Sequence, residues 1–164
     1  MNIEKKLKEK LKEGYAFNMD AFASLVIENH IKKEAPIIVK DSFDSLNKSL
    51  ELLNQLEKTW KEIIELGETR FSDTPFEDNV QQAFWDCFGD IRGTLTWFMF
   101  DIIDLNESFP KNKILEKFHF MYEKMLEPLG LINTSENLIN IKYTKQYIEE
   151  LIKILSEFKV SYLK

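Results

Sequence analysis

Two histidines and one cysteine are the residues of this sequence best suited to metal or nucleophilic chemistry. A carboxylate-bridged dimetal centre in a helical bundle needs a Glu-x-x-His element on each of two helices and a glutamate from each of two others. Glu116 and His119 have this spacing, but Ile27 stands three residues before His30, the other histidine. Because half of the motif is missing, the sequence predicts no metal site, and both histidines are interpreted as ordinary residues of a helix surface.

Cys87 is the one candidate nucleophile. A cysteine nucleophile needs a base beside it, and no histidine lies within thirty residues of Cys87 in the sequence. Its neighbours are large aromatic residues, which predicts a buried thiol that packs as a small hydrophobic group. The sequence also has no phosphate-binding loop, dinucleotide fingerprint or paired-cysteine metal signature. It therefore predicts no catalytic residue and no cofactor, and it favours a protein that is not an enzyme.

A second catalytic test concerns the helical ribonuclease domains of the HEPN type, which carry an arginine followed four to six residues later by a histidine. No histidine follows either arginine of this chain at that spacing. A nucleic-acid-processing or defence-related bundle without this motif is the alternative function that the sequence leaves open. Arg92 is followed at those positions by Thr96, Trp97 and Phe98, and Arg70 by Thr74, Pro75 and Phe76.

The middle of the chain is strongly acidic. No lysine occurs between Lys61 and Lys111, although the whole chain has 20 lysines. Residues 62–107 contain eleven acidic residues and two arginines, a net charge of −9. The net charge of the whole chain is −6, so the remainder carries +3. An acidic surface of this kind argues against binding to nucleic acid, which needs a basic surface, and suits a basic protein partner.

Part of this acidity has helical order. At 100° per residue, several acidic residues and one tryptophan fall on one narrow stripe of a helix, beside Gly93. A tryptophan ringed by carboxylates resembles the anchor and rim of a protein-binding site. The competing interpretation is an ordinary solvated face, with the tryptophan covered by a neighbouring helix and the glycines allowing close helix packing. The predicted binding residues are Asp86, Asp90, Trp97, Asp101 and Asp104.

The elements that would position this stripe are helices. Hydrophobic residues recur at steps of three and four along most of the chain. Thr74-Pro75 provides a capping hydroxyl and a proline for the first turn of a long helix that ends near Leu105. Ala35-Pro36 is expected to break the chain between two helices. The predicted helices span 2–13, 20–34, 41–66, 75–105, 110–130 and 144–162, and 131–143 are read as a long connection.

These features predict an all-α, antiparallel bundle of about five to six helices that forms a single domain over residues 1–164. One cysteine excludes a disulfide framework and fits a reducing compartment. The N-terminus has no apolar signal-peptide core. The most apolar window, 84–103, contains four charged residues, which is prohibitive for a single membrane span. The sequence therefore predicts a cytoplasmic protein with no membrane association, and it leaves the oligomeric state open.

The functional expectation is a non-enzymatic protein-binding module, of the kind that inhibitor and immunity proteins exemplify. Such a protein would cover a basic partner, such as a toxin or a nucleic-acid-binding protein, with its acidic surface. The Lys-, Ile- and Asn-rich composition suggests a bacterial source. A bundle that binds a small apolar ligand is a third hypothesis.

Overall fold

The computed structural model describes residues 19–65, 75–132 and 136–163. These residues form four α-helices and no strand: α1 (Met19–Glu65), α2 (Pro75–Ser108), α3 (Lys113–Leu131) and α4 (Asn137–Tyr162). The all-α prediction is confirmed, but within the described residues the predicted count is one too high, because the predicted helices over 20–34 and 41–66 are one continuous helix. The predicted helix over 2–13 lies outside the described residues.

Each helix buries a stripe of residues that recurs at alternating steps of three and four. This is the heptad spacing that lets helices pack along a common seam. The buried apolar residues of all four helices join in one core. The apolar spacing over 75–105 predicted a seam that begins at Val80, whose side chain lies outside the described residues. The rest of that predicted seam is buried in α2: Phe84, Phe88, Ile91, Leu95, Phe98, Ile102 and Leu105.

The buried seam of α1 is partly polar, so the apolar pattern predicted its residues only in part. Ser42 and Ser49 are fully buried, and each hydroxyl donates to the carbonyl oxygen four residues earlier at 2.8 Å. The apolar pattern over 41–66 predicted a seam of Phe43, Leu46, Leu50, Leu53, Trp60 and Ile64, widened by Leu56 and Ile63. The structure buries Ile63 and leaves Ile64 44% exposed.

Consecutive helices run in opposite directions. The Trp60 ring near the end of α1 lies 5.6 Å from the ring of Phe84 in the first half of α2. Phe98 in the second half of α2 packs against Phe118 near the start of α3, with ring centroids 5.6 Å apart. Lys145 of α4 reaches back to α1. The arrangement is an up-down-up-down bundle.

The break predicted at Ala35-Pro36 is wrong, because α1 continues through Pro36. Proline inside a helix costs about 3 kcal/mol relative to alanine. Ala35 and Val39 on either side of it are both buried in the core, whereas Pro36 itself is exposed. The seam therefore keeps its phase across the proline, and burial of these flanking residues offsets the missing hydrogen bond.

The third helix begins later than predicted. Pro110 was expected to open it, but Pro110 lies in the connection and Lys111 has a left-handed backbone with φ 60°. Asn112 is the N-cap, and its Oδ1 accepts hydrogen bonds from the amides of Ile114 and Leu115 at 3.0 and 3.1 Å. A side-chain cap of this kind satisfies amides that a helix start leaves open.

The last helix begins at Asn137, so most of the predicted connection over 131–143 is helical. The first seam positions of α4 are polar yet buried, which concealed the helical pattern. Thr144 donates to the carbonyl of Asn140 at 2.7 Å, and the Asn140 amide donates to the carbonyl of Leu131 at 3.2 Å. Hydrogen bonds replace apolar contacts at this end of the helix.

An ion pair joins α4 to α1 and makes stability depend on pH. Lys145 Nζ lies 2.7 Å from Glu57 Oε2, and this hydrogen bond, helped by Lys61, lowers the pKa of Glu57 below its ordinary value. A lowered carboxylate pKa stabilises the fold above the unfolded-state pKa, and this contribution disappears as pH falls through the folded-state pKa.

We therefore expect Lys145→Met to lower the free energy of unfolding by up to about 1 kcal/mol at pH 7, and by less at pH 3. Urea titrations of both proteins at the two pH values measure this. Lys153→Met, which removes an exposed pair with Glu150, serves as the control and should change little. An equal deficit for Lys145→Met at both pH values would contradict the electrostatic origin.

Candidate protein-binding face on α2

Helix α2 is unbroken from Pro75 to Ser108, as predicted, and it passes through Gly89 and Gly93 without a turn. Its buried seam faces α1 and α3. The opposite side of the helix faces solvent over the whole length for which side chains are described. Residues seven apart, such as Asp90, Trp97 and Asp104, therefore come close to alignment on this outer side.

Trp97 is 73% exposed, so the interpretation in which a neighbouring helix covers it is wrong. Phe100, one turn further along, is 56% exposed. The two rings contact each other in a tilted arrangement, with centroids 5.9 Å apart. Two adjacent aromatic side chains thus form an apolar patch that no described residue of the chain covers.

Carboxylates flank this patch. Asp86, Asp90 and Asp104 are all exposed on the same side of α2. Gln82 donates to Asp86 Oδ1 at 2.7 Å, which fixes that carboxylate. The term acidic face is used below for Asp86, Asp90, Trp97, Phe100 and Asp104.

Asp101, the fifth predicted binding residue, lies apart from the acidic face. It is half-buried on the side of α2 that faces α1. Burial raises the pKa of Asp101, and the carboxylates of Asp41 on α1 and of Asp104 raise it further. Asp101 therefore contributes to the negative potential at the border of the face, but it is less available for direct contact than the other carboxylates.

The two glycines of α2 have no packing role among the described residues. A Cβ atom added at Gly89 or Gly93 would meet no atom within 4 Å. The expectation that they permit close packing between helices of this bundle is therefore wrong. They leave the backbone of α2 bare beside Trp97, where a docked partner can approach closely.

Because these positions are open, we expect Gly89→Ala and Gly93→Ala each to stabilise the fold by up to about 1 kcal/mol through helix propensity. Urea unfolding monitored by circular dichroism measures the gain. Gly130→Ala is the matched control, since Gly130 is equally open but lies next to the end of α3, where less is gained. A loss of stability in either α2 variant would show that the glycine is needed for the fold.

Phe100 was not among the residues predicted from sequence. The signal was present, because Phe100 lies opposite Ile91 and Ile102 when the helix is viewed along its axis. A phenylalanine so far from the buried seam has to be exposed or covered by another element. The prediction was based on charge, so it included the acidic residues of the stripe and not this apolar residue between them.

The remaining candidates for reactive or metal-binding residues, Cys87, His119 and Glu116, make contacts within the bundle. Cys87 is buried, and its Sγ donates to the carbonyl oxygen of Leu52 at 3.2 Å. Burial raises the pKa of Cys87, and Asp90 adds to this, so the thiolate is disfavoured. His119 Nε2 lies 3.1 Å from Glu123 Oε1, whereas Glu116 pairs with Lys113. Within the described residues, no group of three or more potential ligands could hold a metal ion.

The fold and this surface together define the class of the protein: an up-down four-helix bundle with an exposed acidic and aromatic face. In comparisons with known proteins, no family model, no curated protein and no solved structure matches the chain. None of the helices in the described ranges is sufficiently long and apolar to span a membrane.

Proposed function

We propose that this protein is a non-enzymatic protein-binding module that docks a basic partner protein on the acidic face of α2. The observation that carries the proposal is the exposure of Trp97, 73% of which is open to solvent between carboxylates. Tryptophan is the residue type most enriched among the anchors that dominate binding energy. An exposed indole beside an exposed phenyl ring is therefore well suited to fill a pocket on a partner.

The charges of the acidic face favour a basic partner. Asp86, Asp90 and Asp104 carry no lysine or arginine partner within the described residues. Carboxylates without a basic neighbour attract a basic protein surface over several ångströms and speed the association of the two proteins. A second copy of the same face would be repelled, and so would the phosphates of nucleic acid.

An inhibitor or immunity-type role suits these properties. Such a protein blocks its target by covering a positively charged surface, which requires acidic groups and a few anchoring side chains rather than a catalytic site. We extend the proposal to a bacterial, cytoplasmic protein, on the basis of the composition and the single cysteine.

The test is a comparison of matched variants in affinity capture from cells of the source organism. We expect the tagged wild-type protein to retain a basic protein that Trp97→Ala loses, with at least about a tenfold reduction in recovery. Phe120→Ala is the control for Trp97→Ala. Phe120 is an aromatic residue of α3 that is 54% exposed, and it does not belong to the acidic face.

The two variants separate a specific site from general stickiness of exposed aromatic residues. Recovery of the same basic protein by Trp97→Ala at the wild-type level would contradict the proposal. So would equal loss by both variants, since the aromatic ring on α3 has no place in the proposed site.

A further inference from the structure

A second surface lies on another side of α2, where α2 and α3 do not close completely. Large side chains bridge these two helices, among them Phe98, whose ring lies 5.6 Å from Phe118 and 5.9 Å from Tyr122. An open cleft of about 410 Å³ lies between α2 and α3. We call it the α2/α3 cleft, and its principal lining residues are Phe88, Arg92, Leu95, Tyr122, Leu126 and Gly130.

Apolar side chains form the floor of the cleft, whereas exposed Arg92, Thr96 and Gly130 make its rim polar. Leu95, Phe88 and Tyr122 are buried beneath the cleft, and Leu126 forms an exposed apolar wall. The Tyr122 hydroxyl donates to the carbonyl of Leu95 at 3.5 Å, and burial raises the pKa of Tyr122, so the tyrosine stays neutral. The volume lies within the range of about 300–1,000 Å³ that is usual for small-molecule sites.

One cation lies at this apolar surface. Arg92 is the single basic residue in α2, and its guanidinium carbon lies 5.8 Å from the centroid of the Phe88 ring. Within the described part of the chain, Arg92 forms no ion pair with a carboxylate. Its planar guanidinium can hold a carboxylate through two parallel hydrogen bonds.

We propose that the α2/α3 cleft binds an aliphatic monocarboxylate, such as a medium-chain fatty acid. The carboxylate pairs with Arg92, and the hydrocarbon chain covers Phe88, Leu95 and Leu126. This site is separate from the acidic face and does not depend on the proposed protein-binding function.

The charges around the cleft restrict the ligand to a single negative charge. Arg92 is the one charged side chain among the described residues that line the cleft, so it can neutralise one negative charge of a ligand. A nucleotide or another polyanion is therefore disfavoured. A neutral hydrocarbon of the same length would gain the apolar contact but not the ion pair.

A second chamber lies beside the cleft and shares Tyr122 with it. It has a volume of about 260 Å³ on the other side of Tyr122 and is lined mainly by apolar side chains, including Met99, Ile102 and Ile103. Since each buried methylene strengthens binding roughly fourfold, the two additional methylenes of decanoate should strengthen its binding about sixteenfold relative to octanoate.

Isothermal titration calorimetry with octanoate, decanoate and octanol tests the proposal on the full chain. We expect Arg92→Met to weaken octanoate binding by at least about tenfold and to leave octanol binding unchanged, because the variant keeps an apolar body and loses the charge. Lys113→Met, which removes an exposed cation outside the cleft, is the control and should bind octanoate normally. Octanoate affinity that is unchanged in Arg92→Met, or no binding of decanoate at millimolar concentrations, would overturn the proposal.

A blocking variant tests the location independently. Gly130 lines the cleft, and a Cβ atom there would meet nothing within 4 Å, so Gly130→Leu fills the cleft without a clash in the fold. We expect it to abolish decanoate binding while the thermal midpoint is maintained. Gly89→Leu makes the same change at an equally open helical position outside the cleft and should bind decanoate as the wild type does. Normal decanoate binding by Gly130→Leu would refute the assigned site.

Discussion

Phe98→Ala is expected to lower the free energy of unfolding by about 3–5 kcal/mol, whereas Trp97→Ala should change it by less than about 0.5 kcal/mol. The two residues are adjacent in α2 but face opposite environments. Phe98 is fully buried, with its ring against Phe118 and Tyr122, so truncation leaves a cavity in the core. Truncation of Trp97 removes mainly contacts with solvent and with the Phe100 ring.

Urea unfolding of the two variants, followed by circular dichroism at 25 °C, provides the comparison. This experiment needs no partner, so it tests the exposure of Trp97 before the partner is known. A loss of about 3 kcal/mol or more in Trp97→Ala would mean that the indole is structural. The acidic face would then lose its anchor, and the proposed function would have to be abandoned.

The sequence predicted the fold best where the apolar seam is continuous. In α2 the predicted seam from Phe84 to Leu105 is buried throughout, because no polar residue interrupts it. Where polar residues occupy seam positions, as Ser42 and Ser49 do in α1, the helix was predicted but these buried positions were not. Each of these hydroxyls bonds to its own helix, a solution that costs little in the structure but is invisible in hydrophobic periodicity.

The helix ends show a second limit. Pro36 was read as a break and Pro110 as a start, because proline affects the local backbone strongly. In the structure, tertiary burial on both sides carries α1 through Pro36, and the Asn112 side chain sets the start of α3. Local chemistry alone does not reveal which of these effects dominates.

The candidate surfaces were predictable to different degrees. The alignment of Asp86, Asp90 and Asp104 follows from helical geometry, so the sequence identified them. The exposure of Trp97 depends on which neighbouring helix lies beside it, which is a tertiary property. The α2/α3 cleft depends on the separation of two helices, and that distance is set by bulky side chains such as Tyr122 rather than by any motif.

Affinity for the partner should divide into a long-range and a short-range contribution. Asp90 and Asp104 lie seven residues before and after Trp97, and both are exposed. Carboxylates act at a distance, so the double variant Asp90→Asn/Asp104→Asn should mainly slow association and reduce its dependence on salt. Trp97 contributes only when the partner touches it, so Trp97→Ala should mainly speed dissociation. The expected loss of about 2 kcal/mol in binding free energy corresponds to a roughly thirtyfold faster dissociation rate.

Surface plasmon resonance at two salt concentrations, with the captured partner immobilised, separates the two rates. The double variant Glu149→Gln/Glu157→Gln on α4 is the control, because it removes the same number of exposed negative charges away from the acidic face. If both double variants slow association equally, the attraction arises from net charge alone, and the carboxylates beside Trp97 have no special role. If Trp97→Ala leaves dissociation unchanged, the indole does not enter the interface, because a buried anchor that is truncated has to release its partner faster.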